Sequence, residues 1–235
     1  MLKKNDFVEI EFTGMIKGNG IFDTTREEDA EKAGIDKNKC KPLKICIGQR
    51  MLIKGFDEAL EGKEAGKNYT IELAPENAFG KRQQSLVRVM PSRPFLEKGI
   101  APQAGAMYSF DNMLAKIISV SGGRVTVDFN NPLSGRDVIY DFTVKRIIED
   151  KKEKISVIVD FVLHIENPEI KTDDKENKAA LVVENKIPDA VFEILKSKVK
   201  ELLDTELLME IKSKKEEKGN EKEEATEIKK GDKSE

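Results

Sequence analysis

The sequence predicts an α+β fold: antiparallel strands with one short helix laid against them, a small β-rich insert, and a C-terminal α/β segment. Three observations carry this. Residues 7–12 (FVEIEF), 69–73 (YTIEL) and 138–148 (VIYDFTVKRII) alternate with the period of two of half-buried strands. Leu52, Ile53, Phe56 and Leu60 follow the i, i+3, i+4 rule, so residues 52–60 read as one short amphipathic helix. Residues 81–135 then change character, to short strand runs separated by tight turns.

In chain order, Val8, Ile10 and Phe12 share one face of the first strand and Glu9 and Glu11 the other. Gly18-Asn19-Gly20 turns the chain into a second strand that ends at Phe22-Asp23. Thr24 and Thr25 each have a glutamate three residues on, a capping box for a short helix. Residues 34–41 read as loop and 42–47 as strand. The helix over 52–60 is stopped by Gly62 and Gly66, and one this short needs its apolar face covered. After the 69–73 strand, residues 76–80 (ENAFG) form a turn that presents Phe79. A large apolar side chain in such a turn either caps a core edge or serves a site.

The insert reads as strands at 86–90, 107–110, 114–120 and 124–129, the last two joined by the hairpin turn Ser121-Gly122-Gly123. It carries Met90, Phe95, Leu96, Met107, Tyr108, Phe110, Met113 and Leu114, many large apolar groups for so small a unit. They either form its core or give an adaptable surface for varied apolar chains. Residues 149–154 read as a charged linker, 155–165 as a long alternating strand carrying the single histidine, His164, and 179–183 as a further strand. Val191, Phe192, Leu195, Val199, Leu202 and Leu203 predict a helix opened just after Pro188. Residues 205–211 either extend it or form an edge strand, and from 212 on the chain reads as a solvated charged tail.

At 235 residues the chain can form one to three domains. Charged residues make up 36% with a net charge of −3, which gives no basic surplus for nucleic acid. No apolar run reaches membrane-spanning length and the first residues lack a signal-peptide core. Cys40 and Cys46 lack metal-site spacing, so no metal or other cofactor is expected and a reducing cytoplasm fits. The pattern holds no Ser-His or Cys-His partnership and no paired carboxylates to read as acid and base.

The motifs Phe12-Thr13-Gly14-Met15, Phe22-Asp23, the turn and helix from Gly48 to Phe56, Ala78-Phe79-Gly80 and Tyr140-Asp141-Phe142 resemble, in order and spacing, the FKBP family of peptidyl-prolyl isomerases. The insert, closing with VDFNNPLSG at 127–135, resembles the insert-in-flap domain of the long, SlyD-like branch, with Asn131 and Ser134 where members commonly have histidine and alanine. The residues past 150 look like the archaeal long form. The resemblance implies an FKBP-type antiparallel sheet wrapped around the short helix. It divides the chain into a discontinuous catalytic domain (1–81 and 136–150), a chaperone insert (82–135), a C-terminal α/β domain (151–211) and a tail (212–235).

It further implies an apolar pocket floored by Phe56 and walled by Phe12, Phe22, Leu52, Ile53, Phe79 and Tyr140. Asp23 would sit at its rim, and the Ile53 N–H would hold a substrate carbonyl. The partners implied are unfolded or proline-containing polypeptides, the insert residues named above holding them. No nucleic acid and no membrane are among those partners. A second copy of the chain could pair through the C-terminal domain. Phe12 and Phe79 stand where members often carry tyrosine and Phe56 where they often carry tryptophan. That implies weaker macrolide binding with isomerase activity retained.

Overall fold

β1 (Phe7–Ile16) is the strand on which the first sheet is assembled. Its inner face carries Val8, Ile10 and Phe12, all buried, as the alternation predicts. In the computed structural model, which describes residues 1–97, 99–110, 113–173 and 176–212, the chain divides into two compact units, Met1–Glu166 and the residues from Asn167 onward.

In the first unit β1 turns at Gly18, whose φ of 74° suits glycine, into β2 (Ile21–Thr24). Helix α1 (Glu27–Ala33) follows, and then β3 (Leu43–Cys46) pairs with the first half of β1. Helix α2 (Lys54–Leu60) and β4 (Asn68–Leu73) come next. The insert contributes β5 (Val87–Pro91), α3 (Arg93–Glu97), β6 (Met107–Phe110), β7 (Met113–Ser121) and β8 (Arg124–Asp128). These four strands form a separate antiparallel sheet in the order β5-β8-β7-β6. The chain returns as β9 (Val138–Ile147), which fills the place between β1 and β4. The register pairs Ile10 with Val144, Phe12 with Phe142 and Gly14 with Tyr140, so one face of both strands lies against α2.

Two expectations are corrected here. Residues 155–165 are no strand: α4 runs Lys151–Leu163, and the 149–154 stretch read as a linker contains its start. The β-branched alternation at 155, 157 and 159 hid the helical set Ile155, Ile158 and Val159, which is fully buried and spaced i, i+3, i+4. Asp150 caps it, accepting the Glu153 N–H at 2.7 Å. His164 is the left-handed residue that ends this helix, at φ 54°, and lies outside any strand. The helix packs on β3 within the first unit, and Lys154 lies over the Phe7 ring, which explains why both Phe7 and Val8 are buried. The first unit therefore extends to Glu166, where a boundary at 150 was expected.

The second correction concerns α1. No side chain caps it; the threonines bind the first strand instead, Thr25 Oγ1 accepting the Phe12 N–H at 2.8 Å and Thr24 Oγ1 donating to the Phe12 carbonyl at 3.0 Å.

The second unit is a three-stranded sheet, β10 (Glu169–Asp173), β11 (Lys178–Val183) and β12 (Glu206–Ile211), in that order. Helix α5 (Asp189–Leu203) is the crossover that lets β11 and β12 run parallel. Ile170, Leu181, Leu195, Val199 and Leu207 form its buried centre, and residues 206–211 resolve as a strand rather than a helical extension. After Lys212 the expected charged tail lies outside the described residues.

Candidate active site

Helix α2 sits where it does because two glycines allow close approach. A Cβ on Gly55 would come within 2.7 Å of the Asn77 carbonyl, so only glycine lets the helix reach the turn that carries Phe79. A Cβ on Gly14 would lie 2.7 Å from Phe22 Cζ and 3.0 Å from Tyr140 Cε1, so the bare backbone of β1 is the floor on which those rings meet. The turn entering α2 is clamped by Asp57, buried and accepting the N–H groups of Gly48 at 2.9 Å and Arg50 at 3.1 Å.

Between α2, the inner face of the sheet and the Phe79 turn lies an open hollow of about 600 Å³. All eight residues expected at the pocket line it: Phe12, Phe22, Asp23, Leu52, Ile53, Phe56, Phe79 and Tyr140. Phe56 is its buried base, with ring centroids 4.6 Å from Tyr140, 5.0 Å from Phe142 and 5.7 Å from Phe12. Phe22 stands edge-on to both Phe79 (5.7 Å) and Tyr140 (5.8 Å), the geometry aromatic rings prefer. The sequence reading missed Leu43, Arg50, Met51 and Leu133. Leu43 alternates correctly for an inward strand residue and Leu133 falls in the VDFNNPLSG run, so both carried a signal; Arg50, in a polar turn, carried none.

Few polar groups face this space. Asp23 is exposed by area, yet the apolar walls withdraw water from its carboxyl and push its pKa up, the Thr24 backbone N–H opposing only in part. Burial, and then the Asp23 charge, push the Tyr140 hydroxyl up as well, so it stays protonated at any ordinary pH. At the entrance to α2 the Ile53 carbonyl accepts from Phe56 and Asp57, both at 3.0 Å, while the Ile53 N–H has no partner among the described residues. That leaves a backbone donor open beside an aromatic-floored hollow.

The Phe79 turn is tied to the root of the insert. Ser134 Oγ donates to the Phe79 carbonyl at 2.9 Å and the Gly135 N–H to the Gly80 carbonyl at 2.8 Å. Arg82 and Asp128 form an ion pair at the same root. Of the eight insert residues expected to hold substrate, Phe95 is only 2% exposed and forms the insert core with Ile117, Val125 and Val127. Met90, Tyr108 and Phe110 pack against it, half-buried. Leu96 (60% exposed), Met113 and Leu114 (55% each) and Met107 are open to solvent, joined by Val89, Ile118 and Val120, which the sequence reading did not single out.

The profile of the FKBP-type peptidyl-prolyl cis-trans isomerases matches residues 1–108, and that of the FKBP26 IF domain matches residues 88–133. The chain is 33% identical over 147 residues to the short-type peptidyl-prolyl cis-trans isomerase of Methanocaldococcus jannaschii, covering 62% of this chain and 92% of that protein. It is 32% identical over 129 residues to the FKBP-type 16 kDa peptidyl-prolyl cis-trans isomerase of Escherichia coli strain K12, 53% of this chain and 86% of that protein. To the FKBP-type peptidyl-prolyl cis-trans isomerase SlyD of Helicobacter pylori it is 29% identical over 145 residues, 60% of this chain and 78% of that protein.

Proposed function

The chain belongs to the FKBP-type peptidyl-prolyl cis-trans isomerase family, and on that premise we propose that the aromatic hollow is where it rotates X-Pro bonds and that the insert holds the unfolded chain being turned over. An X-Pro amide resists rotation by about 18–20 kcal/mol because resonance stiffens its C–N bond. Proline populates both isomers, and uncatalysed exchange takes roughly tens to hundreds of seconds. The twisted transition state has lost that resonance and is less polarised than the planar amide. Apolar walls therefore favour it over the ground state without acid, base or covalent bond.

Phe56 is the base of the site. Phe12, Phe22, Leu52, Phe79 and Tyr140 shape it around the proline ring, the Ile53 N–H holds a substrate carbonyl, and Asp23 acts at the rim. A tenfold gain in rate needs only about 1.4 kcal/mol of selective fit. The observation that carries the reading is the open Ile53 N–H beside the packed rings, a ready carbonyl anchor next to an apolar space with room for a proline ring.

The exposed Leu96, Met107, Met113 and Leu114 support a chaperone role for the insert, because flexible apolar side chains accommodate varied sequences. The match to the FKBP26 IF domain, together with a further α/β unit beyond it, supports placing the chain on the long archaeal branch. Two free, buried cysteines are consistent with a reducing cytoplasm. No helix among the described residues is long and apolar enough to cross a membrane. A second copy of the chain could dock on the C-terminal unit, where Ile194, Leu208 and Ile211 are exposed; light scattering that gives a monomer would dispose of this.

An NMR exchange assay on one X-Pro peptide tests the central reading. Wild type should accelerate exchange well above the uncatalysed rate and Asp23→Leu should lose at least about tenfold, some 1.4 kcal/mol. Exchange at the uncatalysed rate with wild type, alongside intact suppression of aggregation, would leave the chain a holdase with a vestigial pocket.

A further inference from the structure

Beside the aromatic hollow lies a second one, of about 580 Å³, and Arg50 and Leu52 line both. The two spaces thus meet along one short stretch of the turn entering α2. A peptide seated with its proline among the aromatic rings would pass that stretch on its way out.

The walls of the second space carry six charged side chains, and three of them already have partners. Asp57 is engaged by two backbone N–H groups, and Lys54 lies 4.0 Å from Glu58. The lining is formally balanced, Lys4, Arg50 and Lys54 against Asp57, Glu58 and Glu61, and of these six Lys4, Arg50 and Glu61 have no ion-pair partner among the described residues. The Lys4 stem crosses Gly48 so closely that a Cβ there would come within 2.6 Å of its Cγ. The Arg50 side chain has no hydrogen-bond or ion-pair partner among the described residues. Its backbone is left-handed, at φ 58°, an uncommon conformation for a non-glycine residue, and the buried Asp57 holds it there through the Arg50 N–H. The point from which the guanidinium leaves the backbone is therefore fixed, while its charge stays unspent.

We propose that this second hollow is a substrate subsite for a carboxylate side chain flanking the proline, with the Arg50 guanidinium as its receptor. A guanidinium presents planar paired donors that match a carboxylate, which a lysine does not. The same enzyme would then favour Asp- or Glu-bearing X-Pro segments over neutral ones and over lysine-bearing ones. This rests on the reading of the aromatic hollow as the proline site.

The test uses the full chain and matched peptides that carry Glu, Gln or Lys on either side of one X-Pro bond. Isomerisation is measured by NMR exchange, and binding is followed on the Arg50 Nε–H resonance. Wild type should prefer the Glu peptide over its Gln counterpart by about two- to fivefold in kcat/KM, the size expected of an exposed ion pair. That preference should fall toward unity in about 1 M salt, where charges are screened beyond roughly 3 Å. It should vanish in Arg50→Gln, survive in part in Arg50→Lys and turn toward the Lys peptide in Arg50→Glu. The Nε–H resonance should move with the Glu peptide and stay in place with the Gln peptide.

Equal handling of Glu and Gln peptides by wild type, or a Glu preference that persists in Arg50→Gln, would overturn the subsite. If no peptide is isomerised, it is the aromatic hollow's assigned function that fails. The resonance titration then still decides whether a carboxylate docks at Arg50.

Discussion

The two halves of the first unit use similar residues in opposite ways. Around α2, aromatic rings converge: Phe12, Phe56 and Tyr140 pack on one another, and Phe22 links Tyr140 to Phe79, all at centroid distances near contact. On the insert, Leu96, Met107, Met113 and Leu114 point away from their small core and touch solvent individually. On the proposed reading, the first arrangement discriminates a twisted amide from a flat one, because its packed apolar walls favour the less polarised form. The second can hold chains of many sequences, because flexible side chains on an open sheet impose little shape. Ser134 and Gly135 join the two by hydrogen bonds to the Phe79 turn, so on the proposed reading a segment held by the insert would be delivered beside the rings.

The contrast is broken most severely at Phe56. It is 1% exposed and meets three other rings, so Phe56→Ala removes both the base of the hollow and part of the core of the unit. The expected cost is about 3–5 kcal/mol of unfolding free energy in urea titration, with isomerisation lost at temperatures where the fold survives. Leu114→Ala, on the open face of β7, should cost less than about 0.5 kcal/mol. Equal costs at the two positions would mean that the insert face is packed against something in solution.

The converse variant sharpens the comparison from the other side. Replacing Leu96, Met113 and Leu114 together by serine should leave the kcat/KM for a short X-Pro peptide unchanged, since none of them lines the hollow. Refolding of a proline-limited whole protein should slow at least about tenfold, because tethering beside the hollow is what raises the local substrate concentration. A parallel fall in both rates would show that the insert shapes the site itself.

Much of this division is legible in the amino-acid order, and where it is not the reason is physical. Alternation in β1, β4 and β9 and the stripe of α2 place the inner face, and five short motifs identify the family from which the eight pocket positions follow. The sequence of α4 reads as a strand because β-branched residues at 155, 157 and 159 satisfy a period of two. What alternation gets wrong is that Ile158 is buried together with Ile155, Val157 and Val159, while Phe161 and Ile165, which a strand would bury with them, are exposed. The fate of the insert's apolar groups was evenly open in the sequence, since Phe95 and Leu96 are neighbours and only the direction of a single helical turn buries one and exposes the other. Arg50 could not be found at all, for its role depends on a left-handed backbone held by a carboxylate seven residues away.

The smallest expected effect separates the two regions by electrostatics. Asp23, at the hollow's rim, has its pKa raised by desolvation, whereas Asp128, at the insert root, has its own lowered. Burial opposes the charge of Asp128 too, but hydrogen bonds from Asn130 and Arg82 outweigh it. A carboxyl whose folded pKa is raised contributes its stability below the unfolded value, about 3.9, and loses it as pH rises through the folded value. One whose folded pKa is lowered contributes above about 3.9 and loses it as pH falls through the folded value. Asp23→Asn should therefore stabilise the fold slightly at neutral pH, by about 0.5 kcal/mol or less given its exposure to solvent, and the gain should disappear toward pH 3. Asp128→Asn should destabilise it at neutral pH, by on the order of 1 kcal/mol, and the loss should likewise fade as the solution is acidified. Urea titrations across that range should show two curves of opposite sign converging at low pH. Curves of the same sign would mean that the hollow is wet and its walls do not withdraw solvent from a charge, and the apolar site would then lack the selectivity on which rotation of an uncharged bond depends.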